Sequence, residues 1–186
     1  MLDSILHPIT LPSYREIKHL EGGGNYAVDK YYKLPWRPFY RKKLYMVLSL
    51  LDKGRIYKNI LDFGCGPGIL TPELKKRATN VVSIDKKDGI DARSRFECVV
   101  SASTLEFVDN LPETIRSLYR MTYTKSQMIV ASPIDSKLTR FYFKAIGDNL
   151  VRNSHKTVMK IVDKYFKITD YKEWMGLYFA FKGYRR

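Results

Sequence analysis

The sequence predicts an α/β protein with a mainly parallel sheet and helices on both faces. Three observations predict it. Short buried strand-like runs alternate with helical apolar periodicities, a glycine-rich turn joins the first such strand to the helix after it, and residues 167–181 alternate enough for an antiparallel pair at a sheet edge. At 186 residues the chain matches one domain, and with 45% apolar residues it can bury a substantial core.

Taken in order, residues 1–40 hold four prolines and the triplet Gly22-Gly23-Gly24, which predicts loops and short helical pieces. Between 40 and 53, Leu44, Val47, Leu48 and Leu51 recur at i, i+3, i+4 and i+7, one buried helical face that Gly54 should end. Residues 59–63 read as a buried strand, 71–78 as a helix and 81–84 as a second strand ending at Asp85. A third strand is expected over 96–100. Leu111, Ile115, Leu118 and Tyr119 trace the next helical face, and residues 127–131 form a strand stopped by Pro133. Helices over 138–150 and 155–166 precede the closing strands, 167–174 and 177–181.

The formal charge of +14 is unevenly placed. Residues 1–60 carry 11 basic and 5 acidic side chains, 61–136 carry 10 and 10, and 137–186 carry 12 and 4; the aromatics divide as 9, 5 and 11. A neutral centre therefore sits between two basic, aromatic-rich flanks. No apolar run reaches the ~18 residues of a membrane span, and residues 1–11 lack a basic segment followed by an apolar core, so a cytoplasmic location is the expectation. Two cysteines, Cys65 and Cys98, make no disulfide framework, and three histidines in no ligand spacing predict no metal site.

The most informative stretch is Ile60-Leu61-Asp62-Phe63-Gly64-Cys65-Gly66-Pro67-Gly68-Ile69-Leu70. Between a strand and a helix, such glycines let the backbone turn tightly and approach a ligand. A G-x-G-x-x-G dinucleotide site would need a third glycine where Ile69 stands, and a P-loop would need a Gly-Lys-Ser/Thr that is absent; a purely structural turn is the remaining alternative.

This run resembles motif I of the class I S-adenosylmethionine-dependent methyltransferases, including Asp62 and the embedded Gly66-Pro67-Gly68. Further matches follow in order: Asp85, 17 residues after Gly68; Phe96-Glu97-Cys98-Val99-Val100 as the family's fourth strand; Ser103-Thr104-Leu105-Glu106-Phe107-Val108 as its Leu-Glu-His-Val segment, with Phe107 in the histidine's place; and Ala131-Ser132-Pro133 as the end of its fifth strand. The resemblance implies a Rossmann-like fold with antiparallel C-terminal edge strands and S-adenosylmethionine as cofactor. Only ten residues separate Asp85 from Phe96, so the third-strand region is shortened. The chain then reads as a single domain, 1–186, with an N-terminal cover over 1–40 and a core over 41–186.

By the same resemblance the cofactor-binding residues are Asp62, facing the methionine ammonium, Gly64, Cys65, Gly66 and Gly68 through the backbone, Asp85 at the ribose, Asp91 at the adenine, and Lys86 and Ser101. His155 is the candidate base, needed where the acceptor must lose a proton. Tyr31 and, from the dense basic and aromatic stretch 36–43, Trp36, Arg37 and Arg41 are the candidate acceptor contacts; Tyr26 and Tyr32 are further candidates for cofactor or acceptor contact.

Enzymes of this fold that methylate base amino groups carry Asn/Asp-Pro-Pro-aromatic where this chain has Ser101-Ala102-Ser103-Thr104, and the Pro-Cys of cytosine C5 chemistry is absent too. The expected acceptor is an acidic or phosphate-bearing small molecule or amphiphile. The alternatives are an RNA methylated by other chemistry, or a non-catalytic protein that binds the cofactor or nucleic acid. Oligomeric state is not legible.

Overall fold

The computed structural model describes residues 9–20, 28–85, 93–145 and 152–186. Lys86, Asp91 and Tyr26 lie outside them. Among the described residues one six-stranded sheet organises the chain: β1 (Tyr57–Phe63), β2 (Ala78–Ile84), β3 (Phe96–Ala102), β4 (Thr122–Pro133), β5 (Phe166–Trp174) and β6 (Tyr178–Arg185), in the spatial order β2-β1-β3-β4-β6-β5. The first four strands are parallel, and β6 pairs antiparallel with both β4 and β5. Because β1 lies between β2 and β3, strand order reverses at β1, and its carboxyl end is the ligand-binding position of an open α/β sheet.

The helices in chain order are α1 (Tyr14–Ile17), α2 (Val28–Tyr32), α3 (Arg37–Leu48), α4 (Thr71–Lys75), α5 (Leu111–Arg120), α6 (Lys137–Ala145) and α7 (His155–Asp163). Successive strand side chains alternate between faces, so two cores form. On one face Leu44 and Val47 of α3 and Leu74 of α4 pack on Ile60, Val100, Ile129, Tyr178 and Ala180. On the other, Leu111, Ile115 and Leu118 of α5 and Val158 and Val162 of α7 pack on Leu61, Val99, Val130, Phe179 and Phe181.

Helix α3 starts at Arg37 rather than 40, since Pro38 in a first turn forfeits no helical hydrogen bond, and it ends at Leu48 rather than at Gly54. Helix α4 stops at Lys75, three residues early, because Ala78 pairs with Tyr57 as the first residue of β2. Strand β4 begins five residues early, with Lys125 at φ +65° and a register shift against β3.

Residues 9–20 and 28–32 are fastened over the first face. The Thr10 N–H donates to Glu73 Oε1 at 2.7 Å, and Lys76 and Arg77 donate to the same carboxylate at 2.8 and 2.6 Å. Burial raises the Glu73 pKa, but these hydrogen bonds outweigh it and hold the group down to about 2. The Tyr32 hydroxyl donates to the Pro12 carbonyl, and Ile9, Leu11, Tyr14, Tyr31 and Tyr32 pack against the core that includes Ile69 and Leu70, just beyond the glycine turn.

Candidate functional site

Beyond Phe63 the chain turns through three left-handed glycines, Gly64 (φ +75°), Gly66 (+51°) and Gly68 (+75°), a region that costs a residue with a Cβ about 1–2 kcal/mol. The turn is gripped from both neighbouring strands. The N–H groups of Gly64 and Cys65 donate to the Ile84 carbonyl at 2.7 and 3.1 Å, which brings the turn beside half-buried Asp85 at the end of β2. From the other side Thr104 Oγ1 donates to the Gly64 carbonyl at 3.1 Å. A Cβ on Gly64 would lie 2.0 Å from that oxygen, so glycine is required by space as well as by φ.

Beneath the turn, Asp62 is 2% exposed and accepts a 2.9 Å hydrogen bond from Thr71 Oγ1. Burial pushes its carboxyl up to about 6, only partly opposed by Thr71. A carboxylate so placed favours a cation arriving at the turn. Ser101 is fully buried near the end of β3, and its Oγ has no hydrogen-bond partner among the described residues.

The loop after β3 builds a second cluster. Ser103 adopts φ +59°, rare for a residue other than glycine, and its Oγ accepts a 2.7 Å hydrogen bond from Lys43 Nζ. Lys43 is 3% exposed, and its ammonium stands 5.6, 5.4 and 5.7 Å from the ring centroids of Tyr31, Tyr40 and Tyr178. Cation–π attraction of this kind strengthens as water is excluded.

Glu106 lies close by with no exposed surface. Burial pushes its carboxyl up to about 7, while its own backbone N–H, Ser132, the Lys43 charge and Ser103 pull the other way. No well-formed hydrogen bond from the described residues reaches either carboxyl oxygen. The folded state therefore binds this proton more tightly than the unfolded chain, and the stability it contributes is lost as pH rises from the ordinary 4.5 through about 7. Glu106→Gln is expected to leave stability at pH 4 unchanged and to raise it at pH 8 by on the order of 3 kcal/mol, read from denaturant midpoints across pH.

The structure thus gathers Asp62, Gly64, Cys65, Gly66, Gly68, Asp85 and Ser101 at the carboxyl ends of β1–β3. Tyr31 and Arg41 come together, with Arg41 Nε donating to the Tyr31 carbonyl at 3.1 Å; Trp36 precedes the first turn of α3 and Arg37 is exposed. His155 is elsewhere. Its Nδ1 accepts the Asp135 N–H at 3.1 Å and its ring packs 5.7 Å from Phe179, on the opposite face of the sheet from Tyr31 and Lys43. With Nδ1 accepting, the proton of the neutral ring sits on Nε2, so neither nitrogen offers a free lone pair. Burial, and then Lys156, push its pKa below the ordinary value.

Sequence reasoning missed Lys43, Ser132 and the burial of Glu106. For Lys43 a signal existed: it stands next to Leu44, with Tyr40 and Val47 three and four residues away on the buried side of α3. Among the described residues no group of three or more His, Cys, Asp or Glu side chains can hold a metal ion, and no helix is long and apolar enough to cross a membrane.

An open glycine turn at the point of strand reversal, with a buried aspartate beneath it and an acidic residue ending the next strand, defines the class I S-adenosylmethionine-dependent methyltransferase architecture. The chain belongs to the family described as Methyltransferase domain, whose model matches residues 37–176. Solved structures agree on the fold. The N-methyltransferase NodS from Bradyrhizobium japonicum WM9, in complex with S-adenosyl-L-homocysteine, is 15% identical with a TM-score of 0.62 over 91% of this chain and 98% of that one. A methyltransferase from Thermotoga maritima, described as a possible histamine N-methyltransferase, is 17% identical with a TM-score of 0.63 over 90% and 99%. An S-adenosylmethionine-dependent methyltransferase from Mesorhizobium loti is 13% identical with a TM-score of 0.58 over 84% and 100%. No curated protein matches the sequence.

Proposed function

We propose that this methyltransferase acts on a small-molecule or amphiphilic acceptor carrying a carboxylate or phosphate. The observation that supports the acceptor class is the Lys43 ammonium resting on Ser103, in the same loop whose Thr104 braces the glycine turn. The residues present fit the cofactor: three glycines without side chains in the way, Asp62 opposite a cationic ammonium, Asp85 as acceptor for ribose hydroxyls, and the Ser101 hydroxyl, which has no partner among the described residues. When bound, S-adenosylmethionine would supply an electrophilic sulfonium methyl group open to in-line attack by an acceptor, with the neutral thioether as leaving group, which leaves the protein to position and desolvate. Lys43 and Arg41 draw in the acceptor's anionic group, and the rings of Tyr31, Tyr40 and Tyr178 exclude water around it.

The test is transfer of labelled methyl to a panel of small carboxylates and phosphates, their uncharged analogues, amines, and transfer RNA. Lys43→Met is expected to raise KM for the anionic acceptor about tenfold or more while S-adenosylhomocysteine affinity, by calorimetry, stays within about twofold. Labelling confined to uncharged analogues or to RNA would overturn the acceptor class and leave the methyltransferase assignment standing. A second reading, transfer to an amine, draws on the two neighbours whose names specify N-methyl transfer and on the Glu106 carboxyl beside Lys43. The amine members of the panel decide it.

A further inference from the structure

Large apolar side chains stand exposed where water gives them no reason to be. In α6, Leu138 is 54% and Phe141 72% exposed, one turn apart. They share the side of the helix opposite buried Thr139 with Lys137, Arg140 and Lys144, all exposed. Arg140 is held by Asp135 at 2.9 Å, which leaves Lys137 and Lys144 as the cations flanking the apolar pair.

The β5–β6 connection continues the same surface. Ser136 and Thr139 hydroxyls both donate to the Gly176 carbonyl, at 3.4 and 3.3 Å, so the start of α6 is tied to this turn. Its two central residues, Met175 (φ +52°) and Gly176 (φ +63°), are left-handed, and the Leu177 N–H donates to the Trp174 carbonyl at 3.0 Å. Tight hairpin turns of this form strongly prefer Asn-Gly, because asparagine adopts positive φ more readily than methionine, whose Cβ makes that conformation costly. Here a methionine, 65% exposed, is held in the strained conformation, an arrangement that folding does not call for.

We propose that α6 and the β5–β6 turn form a docking rim for an anionic lipid bilayer, with Leu138, Phe141 and Met175 entering the headgroup boundary and Lys137 and Lys144 meeting lipid phosphates. Charge complementarity commits the surface to that occupant: α6 carries Lys137, Arg140 and Lys144 and no acidic residue, and apolar tips flanked by lysines are the pattern of interfacial helices. A protein partner would not need the basic surplus, and RNA would not need Leu138 or Met175. The rim also adjoins the acceptor cluster, since Trp174, at the start of the turn, packs 6.5 Å from Tyr178, one of the three rings around Lys43.

The experiment is vesicle co-sedimentation of the full chain with phosphatidylcholine alone and with phosphatidylcholine containing phosphatidylglycerol. Binding should favour the anionic vesicles at least about tenfold and weaken with salt. Leu138→Ser with Phe141→Ser should lower partitioning about tenfold or more. Met175→Asn should lower vesicle binding while raising the thermal midpoint, a combination that misfolding cannot produce. Absent binding, equal binding to both vesicle types, variants that partition like the parent, or binding to RNA but not to vesicles would each overturn the proposal. Calorimetry with S-adenosylhomocysteine on the same protein separates that failure from a failure of the methyltransferase reading.

Discussion

Gly64→Ala is expected to abolish measurable S-adenosylhomocysteine binding and to destabilise the protein by about 2–5 kcal/mol. Two independent effects add. At φ +75° an alanine pays the left-handed penalty, and its Cβ would stand 2.0 and 2.2 Å from Oγ1 and Cγ2 of Thr104. Thr104→Ala should not rescue the variant, because the Thr104 Cβ itself would remain 2.5 Å away. Relief requires the turn or the loop after β3 to move, and both are hydrogen-bonded at their present separation. Gly54→Ala is the control: its φ of +72° imposes the same backbone strain, but nothing lies within 4 Å of the added Cβ. It should cost only the conformational part, about 1–2 kcal/mol, and leave cofactor binding alone. Calorimetry and denaturant unfolding of the two variants separate clash from strain.

Cofactor affinity should rise with pH through about 6 and then level off, with Asp62 as the responsible group. In the unliganded protein burial raises this carboxyl from its ordinary 3.8 to about 6. Its stabilising contribution is therefore fully present below pH 3.8 and lost as pH rises through 6, a difference of roughly 3 kcal/mol. A cationic ammonium at the turn reverses the balance by favouring the charged carboxylate. Below pH 6 affinity should fall up to about tenfold per pH unit, the limit for one proton displaced on binding. Asp62→Asn should flatten that profile, weaken binding at pH 8 by about ten- to a hundredfold, and stabilise the unliganded protein at the same pH. Titration calorimetry from pH 5 to 8 with thermal melts of both proteins measures all three; an Asn variant that keeps the parent's pH profile would assign the proton to another group.

Much of this architecture was legible from local signals. Val81-Val82-Ser83-Ile84 and Cys98-Val99-Val100 are short apolar runs bounded by polar residues, and they became strands in a sheet covered on both sides. The glycine turn could be read because a backbone that must go left-handed three times excludes other residues, a requirement written into composition. The antiparallel C-terminal pair was visible in the alternation of its strands, and the fold sends Tyr178 and Ala180 to one core and Phe179 and Phe181 to the other. Element ends were read less well, because the end of α4 is set by the pairing of Ala78 with Tyr57 rather than by any local stop.

The sequence by itself determined which stretches bury apolar surface, that a glycine-rich turn follows the first strand, and that positive charge lies in the flanks rather than the centre. Only the tertiary structure decided what those charges do. Lys43 is one of several basic residues in its segment until α3 carries it sixty residues across the chain to Ser103 and three tyrosine rings close around it. Glu106 belongs to a recognisable motif, yet its raised pKa exists only where β3 and β4 end together. His155 stands at a helix start in either view, and the fold assigns its ring to Asp135 and Phe179 instead of the Lys43 cluster. The division has a physical cause: backbone conformation and apolar periodicity depend on neighbours in sequence, whereas desolvation and charge pairing depend on neighbours in space.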